Sequence, residues 1–397
     1  MFDQTKALPP DPILGLSKLF QDDNRDDKVD LGVGVFRDKQ GRTPIMRAVS
    51  EAEAQVMAGE ATKAYTPADG APGFGPAILK LVFGEDSDVL AKGRAEAVQT
   101  PGGCGALRLG GELLHAHKAA SLVLGEPTWP NHVPLLSAAG LKLTSVPYYD
   151  PSSNALLFDE FKTAVSKLGP QDVLLLHGAC HNPTGADLSD EQADEIAEMA
   201  ADQGFLPLID TAYHGFARDL EKDAYIIRSF AEKLPELLVT YSCSKNFGLY
   251  RERIGALIIV GRDADRARAV KSHAVSLARK NYSMPPAHGG AIVAEILRSP
   301  ELSAMWGTEL GEMADLIREN RKRLVRAAEE IGLGNRLRFI EQQSGMFSLL
   351  PLSDENIRTM RDEHGIYVVG GGRINLCGIN DGNVAKIAEA FKTVTNA

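Results

Sequence analysis

Val173-Leu174-Leu175-Leu176, Ser189-Asp190-Glu191-Gln192, Gly204 and Phe205-Leu206-Pro207-Leu208-Ile209, taken in that order, decide the fold. The first run is short and apolar throughout, which suits a strand covered on both faces. Ser189 with Gln192 reads as a capping-box helix start, because each side chain can satisfy the other residue's backbone N–H. Ile196, Met199 and Ala200 mark one apolar face of the helix that follows, and Gly204 supplies the left-handed residue that ends it. The second apolar run is another strand. Its Pro207 calls for a strand start or a position that donates nothing to the ladder. Strand, helix and strand in this order make a βαβ unit.

The same alternation extends to both sides. Candidate strands are Ala97–Thr100, Ser121–Leu124, Leu141–Val146, Val173–His177, Leu206–Asp210, Leu237–Tyr241 and Ala256–Val260. Residues 45–310 therefore read as one large α/β domain, a mostly parallel sheet flanked by helices. Residues 1–44 read as an extended arm rich in turn residues, with Leu8-Pro9-Pro10-Asp11-Pro12 non-helical. From 311 to 397 the pattern becomes a long amphipathic helix (Met313, Ile317, Leu324) and then strands near Arg338–Ile340, Met346–Leu350 and Ile374–Leu376. A smaller α+β domain is expected there, completed by the arm.

Composition narrows the function classes. The chain has 397 residues, of which 24% are charged and 44% hydrophobic, an ordinary globular balance. Lys and Arg number 43 against 53 Asp and Glu, so neither nucleic acid nor an anionic membrane is an expected partner. Cys104, Cys180, Cys243 and Cys377 form no CxxC pair, and a cytoplasmic protein with reduced thiols and no bound metal is expected. The N-terminus has neither the basic nor the apolar region of a signal peptide. No uncharged apolar run approaches the ~20 residues of a membrane span.

Ligands of a parallel α/β sheet bind beyond the carboxyl ends of its strands. After the strand ending at Thr100 comes Pro101-Gly102-Gly103-Cys104-Gly105, then a helix from Ala106. This is a phosphate cradle if its free N–H groups face a ligand, and otherwise a tight turn. After the strand ending at His177 come Cys180-His181-Asn182-Pro183-Thr184-Gly185. Asp210-Thr211-Ala212-Tyr213 ends the next strand, and Ser242-Cys243-Ser244-Lys245-Asn246 the one after, with Arg253 following. Each residue alone has a plain structural reading. Together they describe a site for pyridoxal phosphate, whose aldehyde needs a lysine amine, whose ring nitrogen needs a carboxylate, and whose phosphate needs an anion cradle.

At these residues the sequence resembles the class I aspartate/aromatic amino acid aminotransferases, of the pyridoxal-phosphate fold type I. The likeness covers nearly the whole chain. It is carried by Leu31-Gly32-Val33-Gly34-Val35, Glu126-Pro127-Thr128-Trp129-Pro130-Asn131-His132, Cys180-His181-Asn182-Pro183-Thr184-Gly185, Ser244-Lys245-Asn246-Phe247-Gly248-Leu249-Tyr250-Arg251-Glu252-Arg253 and Gly372-Arg373-Ile374-Asn375. The resemblance implies a seven-stranded sheet plus a smaller domain, and a homodimer with shared active sites. It implies that Lys245 bonds the cofactor and shuttles the proton, that Asp210 pairs with the ring nitrogen, and that Tyr213 and Asn182 bond the ring oxygen. Trp129 would stack on the ring. Gly102, Gly103, Cys104, Ser242 and Arg253 would hold the phosphate, with Tyr65 from the partner subunit. Arg373 would grip the substrate α-carboxylate, Gly34 would sit in the segment closing over substrate, and Trp129 and Asn182 would also touch substrate. Arg279 of the partner would meet a side-chain carboxylate. His132 and His177 would lie behind these residues.

The chain departs from the family pattern at three places. Cys104 stands where Thr or Ser is usual, Met284 where Asn is common in aspartate-preferring members, and Ala64 where a polar residue is common. Softer, less polar lining favours large apolar side chains. Arg279 is nevertheless kept, and Val35, Arg37 and Thr43 look like the aspartate type. The expected activity is transfer of the amino group of tyrosine, phenylalanine or aspartate to 2-oxoglutarate. The alternatives are an aspartate-specific aminotransferase and, further off, a fold-type-I lyase. A cofactor-sensing regulatory module would need a nucleic-acid-binding domain, for which the chain has no room.

Overall fold

The computed structural model describes residues 1–8 and 12–396. Its centre is a seven-stranded sheet: β1 Ala95–Pro101, β2 Ser121–Glu126, β3 Leu143–Pro147, β4 Asp172–His177, β5 Leu206–Thr211, β6 Leu237–Ser242 and β7 Ile254–Val260. The spatial order is β1-β7-β6-β5-β4-β2-β3. β7 runs antiparallel to both neighbours, and the remaining pairs are parallel.

Alternation along the strands fills two cores. Leu174 and Leu176 of β4 face one hydrophobic cluster, and Val173 and Leu175 face the other. Ile258 and Ile259 of β7 divide the same way. Helices therefore cover both faces, and the strands are apolar throughout for that reason. Between β4 and β5 lies the helix Asp190–Gln203, opened by the Ser189–Gln192 capping box and closed by Gly204 at φ 80°.

A third cluster joins Val29 and Leu31 to Leu324, Val325, Ile366, Ile374 and Phe391. Val29–Asp30 pairs in parallel with Ile366–Tyr367, which ties the N-terminal segment to the C-terminal one. The helix Pro300–Glu330 connects the cores: Leu302, Trp306, Leu310, Met313 and Ile317 pack in the first, Leu324 and Val325 in the third. The expected division at 310/311 lies inside this helix. We propose that the junction between the two parts falls between Ile317 and Leu324, and that 1–44, 45–310 and 311–397 describe the chain only coarsely.

Three expectations are corrected. The arm is not extended throughout, because Pro12–Asp22 is a helix. Proline suits a first helical position, where its missing N–H would be unpaired anyway, and Lys28 Nζ collects the carbonyls of Phe20 (2.7 Å) and Asp23 (2.5 Å) at the other end. Pro9, Pro10 and Asp11 lie outside the described residues. Arg338–Ile340 is not a strand but belongs to the 3₁₀ helix Arg338–Gln342. The guanidinium of Arg321 takes the carbonyl of Ile340 at 2.8 Å, which removes that acceptor from any strand ladder. The helix after β1 spans Gly102–Ala116, starting before Ala106, so the glycines and Cys104 form its opening turn.

Candidate active site

Beyond the carboxyl ends of β4, β5 and β6 lies a cavity of about 170 Å³. Of the residues singled out in the sequence, Gly34, Gly103, Cys104, Trp129, Asn182, Asp210, Tyr213, Ser242, Lys245 and Arg253 line it. Leu107, His177, Ala212, Ser244 and Tyr250 line it too.

Strand register builds the acid. In the parallel ladder Asp210 pairs with His177 on one side and Thr240 on the other. Thr240 Oγ1 donates to Asp210 Oδ1 at 2.7 Å, and His132 Nε2 lies 3.2 Å from Oδ2. Thr128 Oγ1 joins His132 Nδ1 (2.7 Å) to His177 Nε2 (3.2 Å). Burial works against the Asp210 carboxylate, but His132, His177 and Thr240 outweigh it and hold its pKa below the ordinary value. His177 opens to the cavity on one side, yet burial and the neighbouring His132 push its pKa down to about 3.

Lys245 follows β6, its Nζ 4.9 Å above the Tyr213 ring. Desolvation lowers its pKa, Arg253 and Arg373 add to the shift, and Asp210 and Cys104 oppose it. The lysine is thus poised toward its neutral amine, the form that acts as nucleophile or base. Burial also raises the pKa of the Tyr213 hydroxyl, which keeps it a hydrogen-bond donor.

The anion cradle is made from three elements. Gly102, at φ 72°, lies so near Arg253 that a Cβ there would sit 2.4 Å from Nη2. A Cβ on Gly103 would come within 3.1 Å of Ser242. Arg253 Nη1 donates to the carbonyl of Tyr250 (2.7 Å) and to Ser244 Oγ (3.4 Å), which brings a fixed cation to the N-terminus of the helix Gly102–Ala116. Serine hydroxyls, a guanidinium and free helix N–H groups are the donor set of a phosphate site.

Arg373 is 4% exposed and stands beside this cavity. Its Nη2 donates to the carbonyl of Gly32 (3.0 Å), its Nη1 reaches Asn182 Oδ1 at 3.5 Å, and its Nε is buried without a partner. The guanidinium lies 4.4 Å over the Phe347 ring. A buried guanidinium with a donor to spare fits a carboxylate ligand. Lysine, acid, phosphate cradle and stacking indole together fit pyridoxal phosphate.

Two expected residues stand apart. Tyr65, 93% exposed, and Arg279 line a separate opening of about 400 Å³ with Thr66, Ala68, Ser283 and Met284. Arg279 is hydrogen-bonded to Ser283, and Met284 Sδ lies 3.7 Å from Thr66 Oγ1. Of the departures from the family pattern, only Cys104 lines the inner cavity.

Sequence reasoning left out Thr240, Ser244 and Tyr250. Thr240 had a signal: it is the polar interruption in Leu237-Leu238-Val239-Thr240-Tyr241. Ser244 and Tyr250 stood inside the quoted motif without a role, because only the fold shows that Arg253 turns back onto them.

Residues 26–391 match the family model described as aminotransferase class I and II. The aspartate aminotransferase of Salmonella typhi is 42% identical over 395 residues, 99% of this chain and 100% of that protein. The aromatic-amino-acid aminotransferase of Pseudomonas aeruginosa is 43% identical over 394 residues, 99% of this chain and 98% of that one. The crystal structure of the aromatic-amino-acid aminotransferase from Burkholderia pseudomallei, covalently bound to pyridoxal phosphate, superposes with a TM-score of 0.96 at 41% identity, covering 99% of both chains. The cytoplasmic aspartate aminotransferase of Saccharomyces cerevisiae gives 0.96 at 33%, covering 100% of this chain and 98% of that one. The chain belongs to the class I and II aminotransferase family and is a pyridoxal-phosphate-dependent aminotransferase.

Proposed function

We propose that this aminotransferase moves the amino group of an aromatic amino acid or of aspartate to 2-oxoglutarate, as a cytoplasmic homodimer. The observation that carries the site assignment is the convergence of Lys245, Asp210 and the Gly102–Arg253 cradle on one cavity, with Arg373 at its side. Bound pyridoxal phosphate supplies an aldehyde for amines and a protonated ring that accepts the electron pair left at the α-carbon.

The positions of the residues support these roles. Gly102, Gly103, Cys104, Ser242 and Arg253 would hold the phosphate. Trp129 would pack on the ring. Asn182 and Tyr213 would donate to its oxygen. Asp210, kept ionised by His132 and Thr240, holds the proton on the ring nitrogen. Arg373 takes the substrate carboxylate in a two-pronged grip and so fixes which bond at the α-carbon points at Lys245. Lys245 Nζ then removes the α-proton, a task its depressed pKa suits. Gly34 lies in the segment over substrate, where its lack of a side chain leaves room beside Phe347.

Substrate choice rests on the outer opening. Tyr65 and Arg279 are exposed and outside the cavity, which supports their acting in the partner's site: Tyr65 on the phosphate, Arg279 on a side-chain carboxylate. Arg279 fits aspartate and 2-oxoglutarate, while Met284 beside it fits an apolar ring. Steady-state rates on phenylalanine, tyrosine and aspartate test this reading. Comparable kcat/KM values for the aromatic and acidic substrates are expected. Negligible aromatic rates would leave an aspartate-specific enzyme.

A further inference from the structure

Arg321 lies on the helix Pro300–Glu330 between Ile317 of one core and Leu324 of the other, and it is 2% exposed. Its guanidinium donates to neutral oxygens: the carbonyls of Ile340 (2.8 Å), Ser344 (2.8 Å), Gly345 (2.7 Å) and Phe347 (2.7 Å), and Ser348 Oγ (2.9 Å). Burial pulls its pKa down to about 10, so it stays a cation at neutral pH. A buried charge held by neutral oxygens is costly to keep. What it organises is the turn 340–348.

That turn touches the candidate site on two sides. Ser344 N donates to the carbonyl of Gly185 at 2.8 Å, which ties the turn to the loop carrying Asn182. A Cβ on Gly185 would lie 3.1 Å from Arg321 Nη2 and 2.7 Å from the Phe347 carbonyl. The Phe347 ring lies under Arg373 at 4.4 Å and edge-on to Tyr213 at 5.9 Å. Arg373 and Asn182, themselves in contact at 3.5 Å, thus both rest on structure that one guanidinium holds.

We propose that Arg321 is a positioning residue for substrate binding: it fixes Phe347 and the 182–185 loop so that Arg373 presents its fork to the substrate carboxylate. This rests on the reading of Arg373 as the carboxylate site. A lysine ammonium cannot replace the planar five-donor fork that reaches all these oxygens.

The test is calorimetric titration of cofactor-loaded enzyme with succinate and with 3-phenylpropionate, beside steady-state kinetics. Arg321→Lys should weaken both ligands about tenfold, as for loss of one charge-assisted contact. It should raise KM by a similar factor and leave kcat within about twofold, the signature of lost ground-state binding. Phe347→Leu should do the same without touching the guanidinium, and it carries the test if Arg321→Lys does not fold. Unchanged binding in whichever of these variants folds, with Arg373→Lys impaired, overturns this role for Arg321. Unchanged binding in Arg373→Lys overturns the carboxylate site itself.

Discussion

Lys245 sits where a cation is penalised, and Asp210 where an anion is protected, although both are ionisable groups in one small cavity. Burial penalises both charges, and the difference lies in what offsets it: His132, His177 and Thr240 outweigh it at Asp210, whereas at Lys245 Asp210 and Cys104 do not, with Arg253 and Arg373 adding to the penalty. Lys245→Ala should therefore lose about 10²–10⁴-fold or more in kcat, the usual contribution of a positioned acid–base group. Borohydride reduction and peptide mapping should find the cofactor on this residue and nowhere else. His177 gives a pH prediction. Its folded pKa of about 3 lies below the ordinary 6.5, so between those values the unfolded chain binds a proton that the folded chain refuses. Its contribution to stability is complete above about 6.5 and is lost as the pH falls. The thermal midpoint should drop on acidification from pH 7 to 4, and His177→Gln should flatten that slope. An unchanged slope would show that other groups govern it. Cys104 replaces a hydroxyl in the cradle with a weaker donor. Cys104→Ser should tighten pyridoxal phosphate several-fold, about the worth of one modest hydrogen bond, measured as the dissociation rate of the cofactor.

At the scale of elements, the opening turn of the helix Gly102–Ala116 is the most constrained piece of the site. Gly102 combines a left-handed φ of 72° with a contact that leaves no space for a Cβ. Gly102→Ala should push Arg253 away and release the cofactor, while Gly307→Ala, where a Cβ meets nothing, should leave binding unchanged. Equilibrium dialysis of the cofactor reads both. The strands and the Asp190–Gln203 helix were legible because local rules set them: apolar runs bounded by turn residues, a capping box, a terminal glycine. The 3₁₀ helix Arg338–Gln342 was not, because a distant guanidinium, not its own sequence, claims its carbonyl. The helix Pro12–Asp22 was hidden behind its flanking prolines for a similar reason: Lys28, beyond its end, satisfies its last carbonyls.

For the whole molecule, the separation of Tyr65 and Arg279 from the cavity predicts shared active sites. Lys245→Ala and Arg279→Ala should each be inactive on aspartate. Subunit exchange between them should restore activity, because a hybrid dimer would hold one site with both defects and one with neither. No recovery after exchange, verified by mass, would place Arg279 outside the partner's site. Arg279→Ala alone should spare the half-reaction with phenylalanine, followed by cofactor absorbance without 2-oxoglutarate, because that side chain carries no charge for it to meet. Local signals in the chain sufficed for the mostly parallel sheet and, to within two residues, for where its strands end, which is what put Asn182, Asp210, Lys245 and Arg253 at one edge, since apolar runs and caps are set by neighbouring residues. Tertiary structure alone decided that Thr240 and His132 hold the acid, that Arg321 holds the turn under Arg373, and that Tyr65 and Arg279 stand away from the cavity. These depend on register and on packing between segments far apart in the chain, which no local pattern of residues encodes.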